Sequence, residues 1–183
     1  MARPTLGDES VNDAFIEDFY EDVKAWYPGY YNPENIKSDL KDLFKHHRSM
    51  QDGYDLAKFL DRKGWDPDSE LVEILDGAWH TENRALSKIV KEWVKAEDIK
   101  PVHSVGDWVS HEHHEHGVIQ FEITKINYEE AKYRLTSEAI GHVKEGKNDI
   151  IRNGTLGIIV PFEAVDTVEE RVSTTPLFKK EED

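Results

Sequence analysis

The chain has no cysteine. That excludes disulfides, thiolate metal sites and cysteine nucleophiles. Positive charge is also scarce: 23 lysines and arginines stand against 38 aspartates and glutamates, a formal net charge of −15. The excess of acid runs through both halves of the sequence. Nucleic acids and anionic membranes are bound through a basic footprint, so this balance argues against both as direct partners. No apolar run reaches the length of a membrane span and no secretory leader is read, so the expected compartment is the cytoplasm, or a host cytoplasm if the chain is viral. Phosphate-cradling glycine loops and nucleophile elbows are missing too. With no other catalytic constellation, the reading leans away from an enzyme and expects no cofactor.

What the sequence does contain is bulk. Five Trp, seven Tyr and seven Phe in 183 residues are enough to fill small cores. Residues 1–9, with Pro4 and Gly7, read as a disordered tail. From Ser10 to about residue 100 the apolar residues recur at helical spacing, as in Val11, Phe15, Phe19, Val23 and Trp26. Asn32-Pro33 starts a second helix, Gly64 stops a third, and Ile99-Lys100-Pro101 ends the last. This predicts a small helical domain over 10–100. The run Asp8, Glu9, Asp13, Glu17, Asp18, Glu21 and Asp22 begins in the tail and lies mostly on the first helix. It reads as a solvated face before it reads as a mimic of a polyanion, and in the second reading it would occlude or recruit a basic surface.

Beyond Val105 the period changes from helical to alternating. Trp108-Val109, Gly117–Ile126, Lys132–Thr136, Thr155–Val160 and Val168–Val172 read as strands, with 137–153 as a polar loop and 173–183 as a disordered charged tail. Five short strands over 104–172 predict a small closed barrel of SH3-like or Tudor-like type, so the fold class is α+β: a helical domain followed by a five-stranded barrel. Trp108, Ile119, Phe121, Ile123, Tyr133, Leu135, Ile158 and Val160 are its expected core.

Val105-Gly106-Asp107-Trp108-Val109, the following His-Gly at 116–117, Tyr133-Arg134-Leu135 and Val160-Pro161-Phe162-Glu163-Ala164-Val165 stand in an order that resembles the RNA-polymerase-interacting domain shared by CarD-type regulators and transcription-repair coupling factor. The resemblance covers about 104–170. The His-rich segment is longer than the family pattern, Ile119 replaces a usual glycine, and 137–153 looks like an insertion. The resemblance implies transcription regulation by docking on the polymerase β subunit, or on another basic complex, through strand addition along 118–126 or 131–137. Lys125, Tyr128, Tyr133 and Arg134 are the contact candidates, joined by Tyr30 and Tyr31 if the aromatic turn near Pro28 is exposed.

His111, His113, His114 and His116 form the most unusual string. Imidazoles and carboxylates bind zinc or nickel, but the spacing misses the His-Glu-x-x-His of zinc proteases by one residue. An adventitious metal site in a solvated loop is the simpler reading, with a metal-dependent hydrolase as the alternative. A structural or assembly subunit is a third class. Small, acidic and free of cysteine, the chain also suits a phage or mobile-element protein that inhibits host machinery or defence.

Overall fold

The computed structural model describes residues 1–26, 32–45, 52–113, 117–138 and 155–168. Contacts divide the chain into two units, Met1–Glu97 and Asp98–Asp183. The first is helical and the second is a sheet, so the protein is α+β. No helix among the described residues is long and apolar enough to cross a membrane.

Five helices are described in the first unit: α1 (Glu9–Trp26), α2 (Pro33–Phe44), α3 (Gly53–Asp61), α4 (Ser69–Asp76) and α5 (Ala78–Ala96). Their ends follow local chemistry. The Asn32, Asp52 and Asp68 side chains accept the amides of Glu34, Asp55 and Leu71, which satisfies N–H groups with no partner inside the helix. Gly64 adopts φ +91° just past α3, and the Trp65 amide returns to the Leu60 carbonyl at 3.1 Å. Gly53 marks a tight approach of α3 to α4. Its N–H donates to Asp76 Oδ1 at 2.5 Å, and an added Cβ would lie 2.4 Å from the Val72 carbonyl oxygen.

The core of this unit gathers Phe15, Phe19, Val23, Leu40, Leu43, Leu60, Leu71 and Leu75, all essentially buried. Phe44 meets Phe15 and Phe19 edge-on, with ring centroids 4.2 and 5.1 Å apart. Trp26 and Trp65 lie parallel at 6.4 Å, and their indole N–H groups donate to Asp68 and Asp39. Asp68 thus caps α4 and fastens the end of α1. The Leu71 amide and then the Trp26 indole hold its carboxyl below the ordinary carboxylate range.

Residues 1–8 are not the disordered tail expected from composition. The Thr5 amide donates to Asp8 Oδ2 at 2.8 Å, the Trp93 indole donates to the Met1 carbonyl, and the α-amino group pairs with Glu97 at 2.7 Å. The start of the chain is laid on the end of α5.

The second unit is a five-stranded antiparallel sheet: β1 (Trp108–His113), β2 (Gly117–Asn127), β3 (Lys132–Glu138), β4 (Thr155–Pro161) and β5 (Asp166–Thr167), in the order β4-β3-β2-β1-β5. A 3-10 turn, Phe162–Ala164, carries the chain from β4 to β5. Among the described residues the closing strand is Asp166–Thr167, which pairs with Val109 and Ser110, and of the stretch 168–172 expected to close the sheet, 169–172 lie outside the described residues. No ladder among the described residues joins β4 to β5, so the sheet is open where a closed barrel was expected. Its core is Val109, Ile119, Phe121, Ile123, Tyr133, Leu135 and Val160. Val109 takes the inward place expected for Trp108, because it is Val109 that stands opposite the buried Phe121, while Trp108 pairs with the exposed Glu122.

Candidate functional site

One face of the sheet is committed to the core, and the other is turned away from it. Along β2, Ile119, Phe121 and Ile123 point inward with strict alternation, and Val118 and Glu122 are exposed. Simple continuation would send Lys125 inward and Ile126 out. A β-bulge between Ile123 and Lys125 reverses the phase: Ile123 faces Leu135, but Lys125 faces Arg134 and Ile126 faces Tyr133. Ile126 therefore packs on the core and Lys125 is expelled to the outer face. The extra residue, Thr124, donates its hydroxyl to the Arg134 carbonyl at 3.1 Å.

The bulge thus sets two cations directly opposite each other, a pairing that costs stability within a sheet. Arg134 in turn stands opposite Ile159 of β4, which is 68% exposed. Lys125, Arg134 and Ile159 form one row across three strands. The other lysines of this unit among the described residues are neutralised locally, Lys100 by Asp98 at 2.6 Å and Lys132 by Glu130 at 2.8 Å. Lys125 and Arg134 have no carboxylate at ion-pairing distance among the described residues. Tyr128, in the β2–β3 turn, is 63% exposed.

Of the residues singled out as contacts, Lys125, Tyr128 and Arg134 therefore lie at the surface. Tyr133 does not. It is fully buried, its ring lies against Phe162 at 4.4 Å, and its hydroxyl accepts the His103 amide. The period-two pattern puts it on the core face, so it is a structural residue. Tyr30 and Tyr31 lie outside the described residues. Strand addition along 118–126 or 131–137 is also ruled out by the order, because β2 lies between β1 and β3, and β3 lies between β2 and β4.

His111 sits on the inner face. Its ring packs near Phe121, and its Nδ1–H donates to the Ala164 carbonyl at 2.7 Å, tying β1 to the turn after β4. This is a histidine with its donor occupied by the fold. His114 and His116 lie outside the described residues, and so does the side chain of His113. Among the described residues no group of three His, Cys, Asp or Glu side chains converges on a point that could hold a metal.

In the helical unit the acidic run on α1 is largely matched from within. Asp13 pairs with Lys41, Glu17 with Lys37, Asp18 with Arg84 and Glu21 with Lys24. Lys37 also lies over the Tyr20 ring, and its hydrogen bond to Glu17 raises its pKa above the ordinary 10.5. An opening of about 300 Å³ between the start of α1 and the end of α2 is floored by Phe15, Ile16 and Phe44. Comparison of the chain with family models, with curated proteins and with solved structures finds no match.

Proposed function

We propose that this chain is a non-catalytic protein-binding factor that docks on a larger assembly through the outer face of its sheet unit. The observation that carries the reading is the row Lys125–Arg134–Ile159: two cations forced together by a bulge, beside an exposed isoleucine, in a protein of net charge −15. Such a row is a cost to the isolated fold and a ready counterpart to an acidic, partly apolar surface.

The strand order, a four-strand meander whose fifth strand returns to the first, supports a finer reading as an SH3-like or Tudor-like module. The sequence resemblance then favours the β subunit of RNA polymerase as the assembly, with the chain acting in transcription regulation, as a phage or mobile-element protein would act on a host. The internal pairing on α1 weighs against polyanion mimicry as the main role of the helical unit.

The test is capture of purified RNA polymerase core enzyme by the immobilised full chain. Wild type retains it through the β subunit, and Lys125→Glu with Arg134→Glu lowers retention at least tenfold while the far-ultraviolet spectrum is unchanged. Equal retention by the double variant removes this face from the proposal. No retention by wild type removes the polymerase.

A further inference from the structure

We infer that β4 is the strand that receives the partner, and that the segment received is extended and carries carboxylates on alternate residues. This rests on the reading of the sheet unit as a docking module and names the surface and the chemistry of what it docks.

The topology supplies the edge. β4 ends the strand order, so one side of its backbone is unpaired among the described residues. The other end is β5, of two residues, which is too short to template a partner.

The phase of the hydrogen bonds shows which groups face outward. The Phe162 amide donates to the Ala131 carbonyl at 3.0 Å. Antiparallel pairing alternates, so Val160 and Ile158 turn their amides to β3, and Ile159 and Gly157 turn theirs to the open edge. Pro161 agrees with this phase. It has no amide hydrogen, and it falls at a position where that hydrogen would face outward and be missed by no ladder bond.

The composition of the edge is the second observation. In a chain that is 33% charged, Thr155-Leu156-Gly157-Ile158-Ile159-Val160-Pro161 carries no charge. Native sheets guard an open edge with lysines, inward charges or a cover, because an unguarded one pairs with whatever strand it meets. Among the described residues, the guard on β4 is Pro161 at its end.

Charge selects the occupant. A strand laid along β4 becomes the next member of the row that begins with Lys125 and Arg134. Its outer-face side chains lie roughly 10 Å, two strand spacings, from the β3 backbone. A glutamate there meets the Arg134 guanidinium extended toward it, whereas a lysine would add a third cation. The opposite face of the same strand continues the apolar layer of Ile158 and Val160.

The experiment uses the full chain labelled with 15N and a seven-residue peptide, Thr-Val-Glu-Val-Glu-Val-Thr. Its counterpart has both glutamates replaced by lysine. Titration with the first peptide shifts the Gly157 and Ile159 amides and is at least tenfold tighter than with the second. Gly157→Pro, which deletes an outward amide, abolishes the shifts. Gly157→Ala, whose Cβ would meet only the Leu135 carbonyl oxygen at 4.0 Å, keeps them. Silent Gly157 and Ile159 amides, or equal binding of both peptides, overturn the proposal. So does a concentration-dependent dimer in sedimentation that Gly157→Pro dissolves, because a second copy then covers the edge. Wild-type polymerase capture by Gly157→Pro would remove β4 while leaving the charged face to be judged by its own double variant.

Discussion

Gly53→Ala isolates a close approach of α3 to α4. Gly53 is the first residue of α3, where alanine is ordinarily the better helix former by up to about 1 kcal/mol. Packing reverses the sign. The new methyl would sit 2.4 Å from the Val72 carbonyl oxygen, 2.6 Å from Asp76 Oδ1 and 2.7 Å from the Asp76 amide nitrogen. Two of these are backbone atoms of α4 and cannot swing away. The third already accepts the Gly53 amide. Relief requires α3 and α4 to part, and overpacking of this kind costs roughly 1–3 kcal/mol or more. A net loss of about 2 kcal/mol is expected, which for a unit near 100 residues lowers the midpoint by about 8–16 °C. Thermal melting of the full chain followed at 222 nm reads it. A midpoint equal to or above wild type would refute the argument, because it would mean that α3 and α4 do not meet through this glycine.

Gly64→Ala tests the opposite case: nothing lies within 4 Å of the added methyl, but φ is +91°, so backbone strain alone should cost about 1–2 kcal/mol in the same melt. Tyr133→Phe should cost about 1 kcal/mol, by leaving the His103 amide without its acceptor, and should leave partner capture unchanged; a loss of capture at full stability would return Tyr133 to the surface role. Hydrogen bonds from Lys45 and then Lys63 hold the Asp42 carboxyl below its ordinary 3.8. Its contribution is therefore present above that value and lost as pH falls through the depressed one, so Asp42→Asn should flatten urea-melt stability against pH below about 4 without changing its slope near 7. Lys37 has the reverse sign: its contribution is present below the ordinary 10.5 and lost as pH rises through the raised value, so Lys37→Met should remove stability at pH 7 and reduce the fall above pH 10.5.

The helical unit was legible because each helix announces itself locally. A 3.6 period places Phe15, Phe19 and Val23 on one face, Asn32-Pro33 starts α2, and Gly64 stops α3. The tail at 1–8 was misread because composition does not reveal that Trp93, far along the chain, offers its indole to Met1. In the sheet, alternation identified β2 and β3 but not which of Trp108 and Val109 faces inward, since both are apolar and only the register against Phe121 decides. The bulge left a readable trace: Ile123 and Ile126 are three apart, which a period of two cannot accommodate with both on the core. Tyr133 was misassigned as a contact although its neighbour Leu135 shares its face. The edge could not be found from pattern at all, because strand order is a long-range property.

The two units handle charge in different ways, and this bears on function. α1 carries most of the acidic run, yet Lys41 and Lys37 reach it from α2, Arg84 from α5 and Lys24 from α1 itself, so three of its acids hold α1 to its neighbours. Exposed pairs of this kind contribute at most about 1 kcal/mol each, so they orient the helix more than they stabilise it. The sheet unit does the reverse. It neutralises Lys100 and Lys132 with neighbouring acids and leaves Lys125 and Arg134 facing each other. A fold tuned only for stability would place a glutamate at one of the two positions, at no cost to the core, since both side chains point away from it. The bulge also gains nothing by choosing lysine over any other polar residue for its expelled position. With no carboxylate at ion-pairing distance among the described residues, the two cations at that row are the charge on which the proposed docking rests, and the uncharged edge at β4 is where the proposed partner strand would lie.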